Sequence, residues 1–274
     1  MKILCQQSNG FYQDEMSAWS KILVYNNNDF TFFDIQKKPV FDAFYEIKPD
    51  LFIVNANECT KKLDYLAEKY HSCKIVLLNV EGNFKNYKQN NIYTFSYLND
   101  DIRPCFDLFI FKESEAKKEY LSEVNYIARE FNKDYLKFMN NFDIKIFGKG
   151  HWPTPRFLGN IEDSEKKHVI ASCQYSLCGS SYKDIKWFLE CVACNKYCFA
   201  YKNEYIKNML SKEFYVDNYK EIFDLIFINQ QQNQISNFNL LRDKIIKEYS
   251  SKNQIANILK KIGLNEEAEK CLKI

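Results

Sequence analysis

Glu190 is a carboxylate set among large apolar side chains, in the run Trp187-Phe188-Leu189-Glu190-Cys191-Val192-Ala193-Cys194. Ile185, Phe188, Leu189 and Val192 fall on one face of a helix, and burying that face would take Glu190 with it. A buried carboxylate without partners costs on the order of several kcal/mol unless its pKa rises or hydrogen-bond donors reach it. The plain alternative is a solvated helix carboxylate. Ahead of the helix stand Ser180, Ser181 and Lys183. Free N–H groups and the helix dipole at that end favour an anion such as phosphate, and Lys183 would add charge. A solvated loop is the alternative there. Arg129 occupies the same kind of place, at the carboxyl end of a predicted strand and just before a helix. The cysteine series Cys191-x-x-Cys194-x-x-x-Cys198, with Cys173 and Cys178 before it, has the residue type of a zinc or iron–sulfur site. Yet Cys191 and Cys194 share one helix and Cys198 lies inside the next strand, where thiols serve as small buried hydrophobes. No metal site is assigned.

The elements that must position these residues run from Ile144 to Tyr201. An apolar run, Ile144 to Phe147, stops at Gly148 and Gly150, as a buried strand ends in a loop. Pro153 and Pro155 keep the chain extended, and Arg156-Phe157-Leu158 reads as a second short strand, turned by Gly159-Asn160-Ile161. A helix capped by Asp163 or Ser164 ends near Ser172. Tyr175 to Cys178 is a third strand, Asp184 opens the helix of Glu190, and Tyr197 to Tyr201 is a fourth strand. Such alternation is that of a parallel sheet covered by helices.

In their order and spacing, Phe147-Gly148, Trp152, Phe157-Leu158-Gly159-Asn160-Ile161 and Trp187-x-x-Glu190-x-x-Ala193 resemble the nucleotide-sugar-binding half of GT-B glycosyltransferases. The nearest likeness is to phage DNA glucosyltransferases and related small bacterial enzymes. It covers roughly residues 120–218 well and the N-terminal half in outline. The resemblance implies an α/β fold of two Rossmann-like domains facing a cleft, with the C-terminal helix packing back on the N-terminal domain. It implies a nucleotide-sugar donor, UDP-linked by default, with no required cofactor; a divalent metal is compatible with this but not implied. The turn at Asn160 and Ile161 would present backbone groups to the base, beside the strand end at Gly148. Glu190 would accept hydrogen bonds from the ribose hydroxyls. Arg129, Lys149 or Lys183 would neutralise the diphosphate, and His151 lies close to the donor. The loop at Arg129 has Glu130 and no glycine, unlike the family pattern. The glycine usual after Ala-Cys is Asn195, which keeps access to a left-handed conformation.

The chain of 274 residues is long enough for two domains, predicted at 1–118 and 119–274 with Lys112 to Lys118 as the crossover. Its 38 Lys+Arg against 36 Asp+Glu give a formal +2, which makes no global case for nucleic-acid binding but leaves room for a local basic patch. Ten scattered cysteines fit a reducing cytosol, or a host cytosol for a viral protein. Met1-Lys2 enters a strand with no apolar segment of a signal peptide, and no run approaches the ~18 apolar residues that cross a bilayer.

The N-terminal half reads as strands over Lys2–Gln7, Phe30–Phe33, Pro49–Val54, Lys74–Leu78, Ile92–Phe95 and Phe106–Phe111, with helices over Asp14–Val24, Pro39–Ile47 and Thr60–Tyr70. That is again a Rossmann-like pattern. Helices near 235–250 and 253–272 close the chain. Inverting glycosyl transfer needs a base for the acceptor hydroxyl. Glu81, which follows a strand where a ligand-facing loop is expected, is preferred; Asp14 is retained, and Glu15 and Glu58 are the further candidates. A glycan, a protein or DNA could be the acceptor. For DNA, Lys85, Lys88 and Arg103 are interleaved with Phe84, Tyr87 and Tyr97, against the alternative of a solvated lysine-rich surface. Oligomeric state is open. The rival readings are a non-catalytic nucleotide- or sugar-binding module and a metal-binding interaction protein built on the cysteines.

Overall fold

The computed structural model describes residues 1–7, 11–56, 62–79, 84, 87–97, 101–128, 141–148, 151–179, 184–232 and 235–274. Strand and helix alternate through the first half: β1 (Lys2–Gln6), α1 (Phe11–Tyr25), β2 (Asp29–Phe33), α2 (Val40–Ile47), β3 (Leu51–Asn55), α3 (Leu63–Lys69), β4 (Lys74–Asn79) and β5 (Ile92–Ser96). The strands form a parallel sheet in the order β2-β1-β3-β4-β5. Every residue of β3 is buried, as an apolar central strand covered on both faces must be. On one face Leu4, Phe52, Val54, Ile75 and Leu77 pack with Phe44 of α2 and with Leu63 and Leu66 of α3.

The second half repeats the plan with β6 (Ser122–Ala128), β7 (Ile144–Gly148), α4 (Asp163–Ala171), β8 (Cys173–Cys178), α5 (Ile185–Ala193), β9 (Tyr197–Tyr201), α6 (Glu204–Met209), β10 (Tyr215–Val216), α7 (Tyr219–Gln232) and α8 (Ile235–Tyr249). Its parallel order is β10-β9-β8-β6-β7. The helix expected after Arg129 lies outside the described residues. The chain ends in α9 (Ser251–Lys261) and α10 (Asn265–Leu272).

Two compact units result: Met1–Cys105 with Ser250–Ile274, and Phe106–Tyr249. The chain therefore passes between units twice, at 105/106 and 249/250, where the sequence suggests a single boundary at 118/119. The C-terminal helices belong to the first unit, as the resemblance implies. Packed on α1, α9 buries Ile255, Ile258 and Leu259 completely, and Trp19 and Ile22 of α1 are equally closed to solvent. The Arg103 amide donates to Gln254 Oε1 at 3.1 Å, and Lys261 Nζ to the Asp101 carbonyl at 2.7 Å.

Two elements differ from expectation. Phe106–Phe111 is not a strand. Asp107 folds it into a turn, its side chain accepting from the Phe109 amide at 2.9 Å and its carbonyl from the Phe111 amide at 2.9 Å. The helix expected over 253–272 breaks at Gly263, whose φ of 78° closes α9 before α10 starts.

Candidate functional site

In the second sheet the chain leaves β6 toward β7 and then returns to the other side of β6 to form β8. Open parallel sheets bind ligands outside the carboxyl ends of the strands at such a reversal. The interior below that point is tied by a polar pair. Ser176 Oγ donates to Asn125 Oδ1 at 2.6 Å, and Asn125 Nδ2 donates to the Val169 carbonyl of α4 at 3.0 Å.

The turn at Asn160 is built onto the end of β7. The Ile146 amide donates to the Arg156 carbonyl at 3.0 Å, the Leu158 amide to the Ile146 carbonyl at 2.8 Å, and the Gly148 amide to the Gly159 carbonyl at 2.8 Å. Residues 156–159 thus lie alongside β7 in parallel, although only Ile146 and Phe157 form a bridge. Gly148 and Gly159 take φ of 116° and 84°, which side chains rarely adopt, so both glycines are required by the backbone. Trp152 is buried behind the turn, 6.4 Å from the Phe157 ring and 5.9 Å from that of Tyr126. The outcome is an exposed Asn160, a half-buried Ile161 and an exposed His151 at one strand end with Gly148.

The helix of Glu190 is anchored just as closely. Cys178 Sγ donates to the Asp184 carbonyl at 2.8 Å, and Trp187 Nε1 to the Leu177 carbonyl at 3.1 Å. A side chain at Gly179 would meet Asp184 Oδ2 at 2.5 Å, so the loop's start and end are packed face to face. Every residue of α5 is buried, including Glu190 at 3 % and Lys186 at 6 % exposure. Spaced i, i+4, these two are neighbours on the helix surface. Lys166 of α4 also belongs to this charge group. Burial by itself lowers the pKa of Lys166, but the charges of Glu190 and Asp163 outweigh that and hold it above the ordinary lysine value. An ion pair joins Lys166 to Asp163. The burial expected for Glu190 is present, and positive charge from the protein accompanies it. Sequence reasoning missed the two lysines; the i, i+4 spacing of Lys186 and Glu190 was the available signal.

The other sequence candidates divide in two. Glu81, Glu58, Arg129, Lys149, Ser181 and Lys183 lie outside the described residues, as does Lys85. Asp14 stands half-exposed in the first turns of α1, in the first unit. Beside it Glu15 is fully buried, accepting from the Cys105 amide at 3.1 Å and from its thiol at 3.2 Å. Asn195 adopts φ of 61°, the left-handed conformation anticipated where a glycine is usual. Tyr97 is fully buried, so it offers no face to a nucleic-acid base.

The cysteines sit in the interior. All nine described are buried free thiols. Burial pushes Cys173 up to about 12 and Cys198 up to about 11, and raises Cys191 and Cys194 as well. Metals bind the thiolate, which this environment disfavours. Among the described residues no three His, Cys, Asp or Glu are grouped to hold a metal ion. Cys191→Ala with Cys194→Ala is expected to cost roughly 1–2 kcal/mol through lost packing and to leave metal content unchanged. Elemental analysis checks this, and stoichiometric zinc or iron lost in the variant would overturn it.

No protein-family model and no curated protein matches the chain. Solved structures do match over nearly its full length. Anabaena HepE, crystallised with UDP and glucose, is 11% identical, with 100% of this chain and 99% of that one covered and a TM-score of 0.59. Sucrose-phosphate synthase from Thermosynechococcus elongatus is 8% identical, with 97% of each chain covered and a TM-score of 0.58. A putative UDP-N-acetylglucosamine 2-epimerase from Listeria monocytogenes is 8% identical, covering 96% of this chain and 97% of that one at a TM-score of 0.55. Among the described residues no helix is long and apolar enough to cross a membrane. Two parallel five-stranded sheets with flanking helices, matched along their whole length by such proteins, make this the α/β fold of the GT-B glycosyltransferases.

Proposed function

We propose that the chain is a glycosyltransferase that takes a sugar from a nucleotide donor, UDP-linked by default, and passes it to an acceptor hydroxyl. The observation that carries this reading is the turn 157–161, hydrogen-bonded to the carboxyl end of β7 through Gly148 and Gly159. In a fold shared with a protein crystallised with UDP and glucose, this turn provides rigid backbone groups at the edge where ligands of such sheets bind. Asn160 and Ile161 would meet the base through their main chain, with His151 near the donor. Glu190 would accept from ribose hydroxyls, held in place by the charges of Lys166 and Lys186. Arg129, Lys183 and Ser181 would meet the diphosphate, with helix N-termini supplying the remaining positive potential. In the first unit Asp14 is a partly solvated carboxylate that can take a proton, and Glu81 is the alternative base. A divalent metal is not needed for this scheme. The unit of Met1–Cys105 with Ser250–Ile274 would take the acceptor, and the unit Phe106–Tyr249 would take the donor.

A second reading shares the same site. The putative UDP-N-acetylglucosamine 2-epimerase has the same fold, so a nucleotide sugar could be bound and isomerised rather than transferred. One series of measurements tests both. UDP at 100 times its Kd is expected to stabilise the protein by about 2.7 kcal/mol, read as an upward shift in melting temperature. Release of UDP from a UDP-sugar supports transfer or its hydrolytic side reaction. An intact nucleotide carrying an inverted sugar centre supports epimerisation. No thermal shift with any nucleoside diphosphate sugar would remove both.

A further inference from the structure

A buried carboxylate has two ways to exist. It can keep its proton and become a donor, or it can stay ionised beside positive charge. The surroundings of Glu190 select the second. Lys186 precedes it by one turn of α5, and both are nearly closed to solvent. From α4 comes Lys166, whose ammonium interacts with Glu190, Asp163 and Lys186 together. Lys167 of α4 and Arg242 of α8 act, as Glu190 does, on the Cys194 thiol. The other acids of this neighbourhood are Asp163, paired with Lys166, and Glu113, paired with Arg242 at 3.0 Å. Both keep side chains more than half exposed, whereas Glu190 is enclosed. Cys191 and Cys194, the titratable neighbours on α5 itself, are free thiols whose pKa burial raises.

The two forms of a carboxyl hold a vicinal diol differently. An ionised carboxylate accepts from both hydroxyls, through charge-assisted bonds roughly twice as strong as neutral ones. The neutral acid donates through one of its oxygens, and the bonds it makes are ordinary ones. A nucleotide that lacks one of the two hydroxyls therefore loses much with the first form and little with the second.

We propose that Lys166 and Lys186 are positioning residues that make the site selective for ribonucleotide donors over 2′-deoxyribonucleotide ones, by keeping Glu190 an acceptor for both ribose hydroxyls. This rests on the ribose role of Glu190 proposed above and narrows the donor class: a UDP-linked sugar fits, and a dTDP-linked sugar forfeits one of the strong bonds. Each lysine acts through Glu190. A lysine that served packing alone would be indifferent to the sugar of the nucleotide.

Calorimetric titration of the full chain with UDP and with 2′-deoxy-UDP tests it, over about pH 5.5–8, above the ordinary range of a glutamate. The readout is the ratio of the two Kd values, in which the titration of the diphosphate and any attraction of lysine for phosphate cancel. In the unaltered protein UDP is expected to bind about 10- to 150-fold more tightly, the range for a hydrogen bond to a charged group, with no change across these pH values. Lys166→Met with Lys186→Met should reduce the ratio to about 2- to 12-fold at the acid end, the range for a neutral bond, and the ratio should recover as pH rises and the carboxyl ionises unaided. Lys166→Arg with Lys186→Arg should keep the ratio of the unaltered protein throughout. A methionine variant with an unchanged ratio at every pH would overturn the proposal, including the case in which both nucleotides weaken equally, since the lysines would then act on the diphosphate. Should the methionine variant not fold, the unaltered protein decides: a ratio that already falls with acid within this range would show that the lysines do not keep Glu190 ionised. Failure of the ribose role looks different, because the unaltered protein would then bind the two nucleotides equally at every pH, or neither, and the proposal would go with it.

Discussion

Glu190→Ala is expected to lower the stability of the second unit by about 3–5 kcal/mol, the usual cost of removing one member of a buried charge group. Lys186 is nearly closed to solvent, and against the lowering effect of burial Glu190 and Asp163 hold Lys166 above the ordinary lysine value. Lys166 and Lys186 are the reason to expect so large a cost. The shift at Lys166 fixes the sign of the pH effect. Its pKa is raised in the folded state, so the stability it contributes is fully present below the ordinary lysine value and is lost as pH rises through the folded one. In the alanine variant the raised value should fall back, and the alkaline limb of stability against pH should move to lower pH. Urea unfolding across that range checks both parts. Unchanged stability would mean that the charges around Glu190 are solvated. Nucleotide binding is a separate measurement. Glu190→Gln keeps the shape, and if ribose is the ligand both variants should lose roughly 1.5–3 kcal/mol of UDP affinity, as for a hydrogen bond to a charged group. Equal UDP affinity in the parent and the Glu190→Gln variant, measured calorimetrically, would sink the ribose role while leaving the stability argument intact.

Ending the chain after Tyr249 is expected to unfold the first unit and spare the second. Removing α9 takes away a helix that packs on α1, and it deletes Ile255, Ile258 and Leu259, all fully buried. Each such side chain is worth about 1.5–3 kcal/mol on burial. Three of them, about 4.5–9 kcal/mol, are comparable with the roughly 5–15 kcal/mol of net stability that a domain has. Hydrogen exchange followed by peptide mass should show residues 1–105 losing protection and residues 106–249 keeping it. Full protection of β1, β3 and β4 in the shortened chain would show that α9 is an accessory.

Much of this architecture is legible from local pattern. The run Leu51–Val54 has only one reasonable fate, a strand covered on both faces, and the alternation on either side of it dictates a parallel sheet. At the candidate site, Phe157-Leu158-Gly159 and Trp187-x-x-Glu190 were readable because glycine at positive φ and a carboxylate in an apolar helix are both costly exceptions. Three features were not readable from local pattern, each because it depends on a partner that hydropathy does not register, and only the third was implied by the family resemblance. Phe106–Phe111 has a strand's composition, yet Asp107 bends it with a hydrogen bond to Phe109. Lys166 joins Glu190 only because α4 packs on α5. The return of residues 250–274 to the first unit follows from α9 meeting α1 across more than two hundred residues of chain, and amphipathic pattern says only that such a helix needs a partner.

That return bears on how the protein is made. A ribosome releases the chain from its N-terminus at about 5–20 residues per second, and domains usually fold as they emerge. Here Met1–Cys105 emerges first but cannot close, because α9 has not yet been synthesised, while Phe106–Tyr249 is contiguous and can fold ahead of it. For the time it takes to translate the intervening 144 residues, the surface of α1 on which α9 packs is left for a chaperone or for a neighbouring nascent chain. Yield in a cell should therefore respond to chaperone supply and to translation speed more than the stability of the finished protein would suggest.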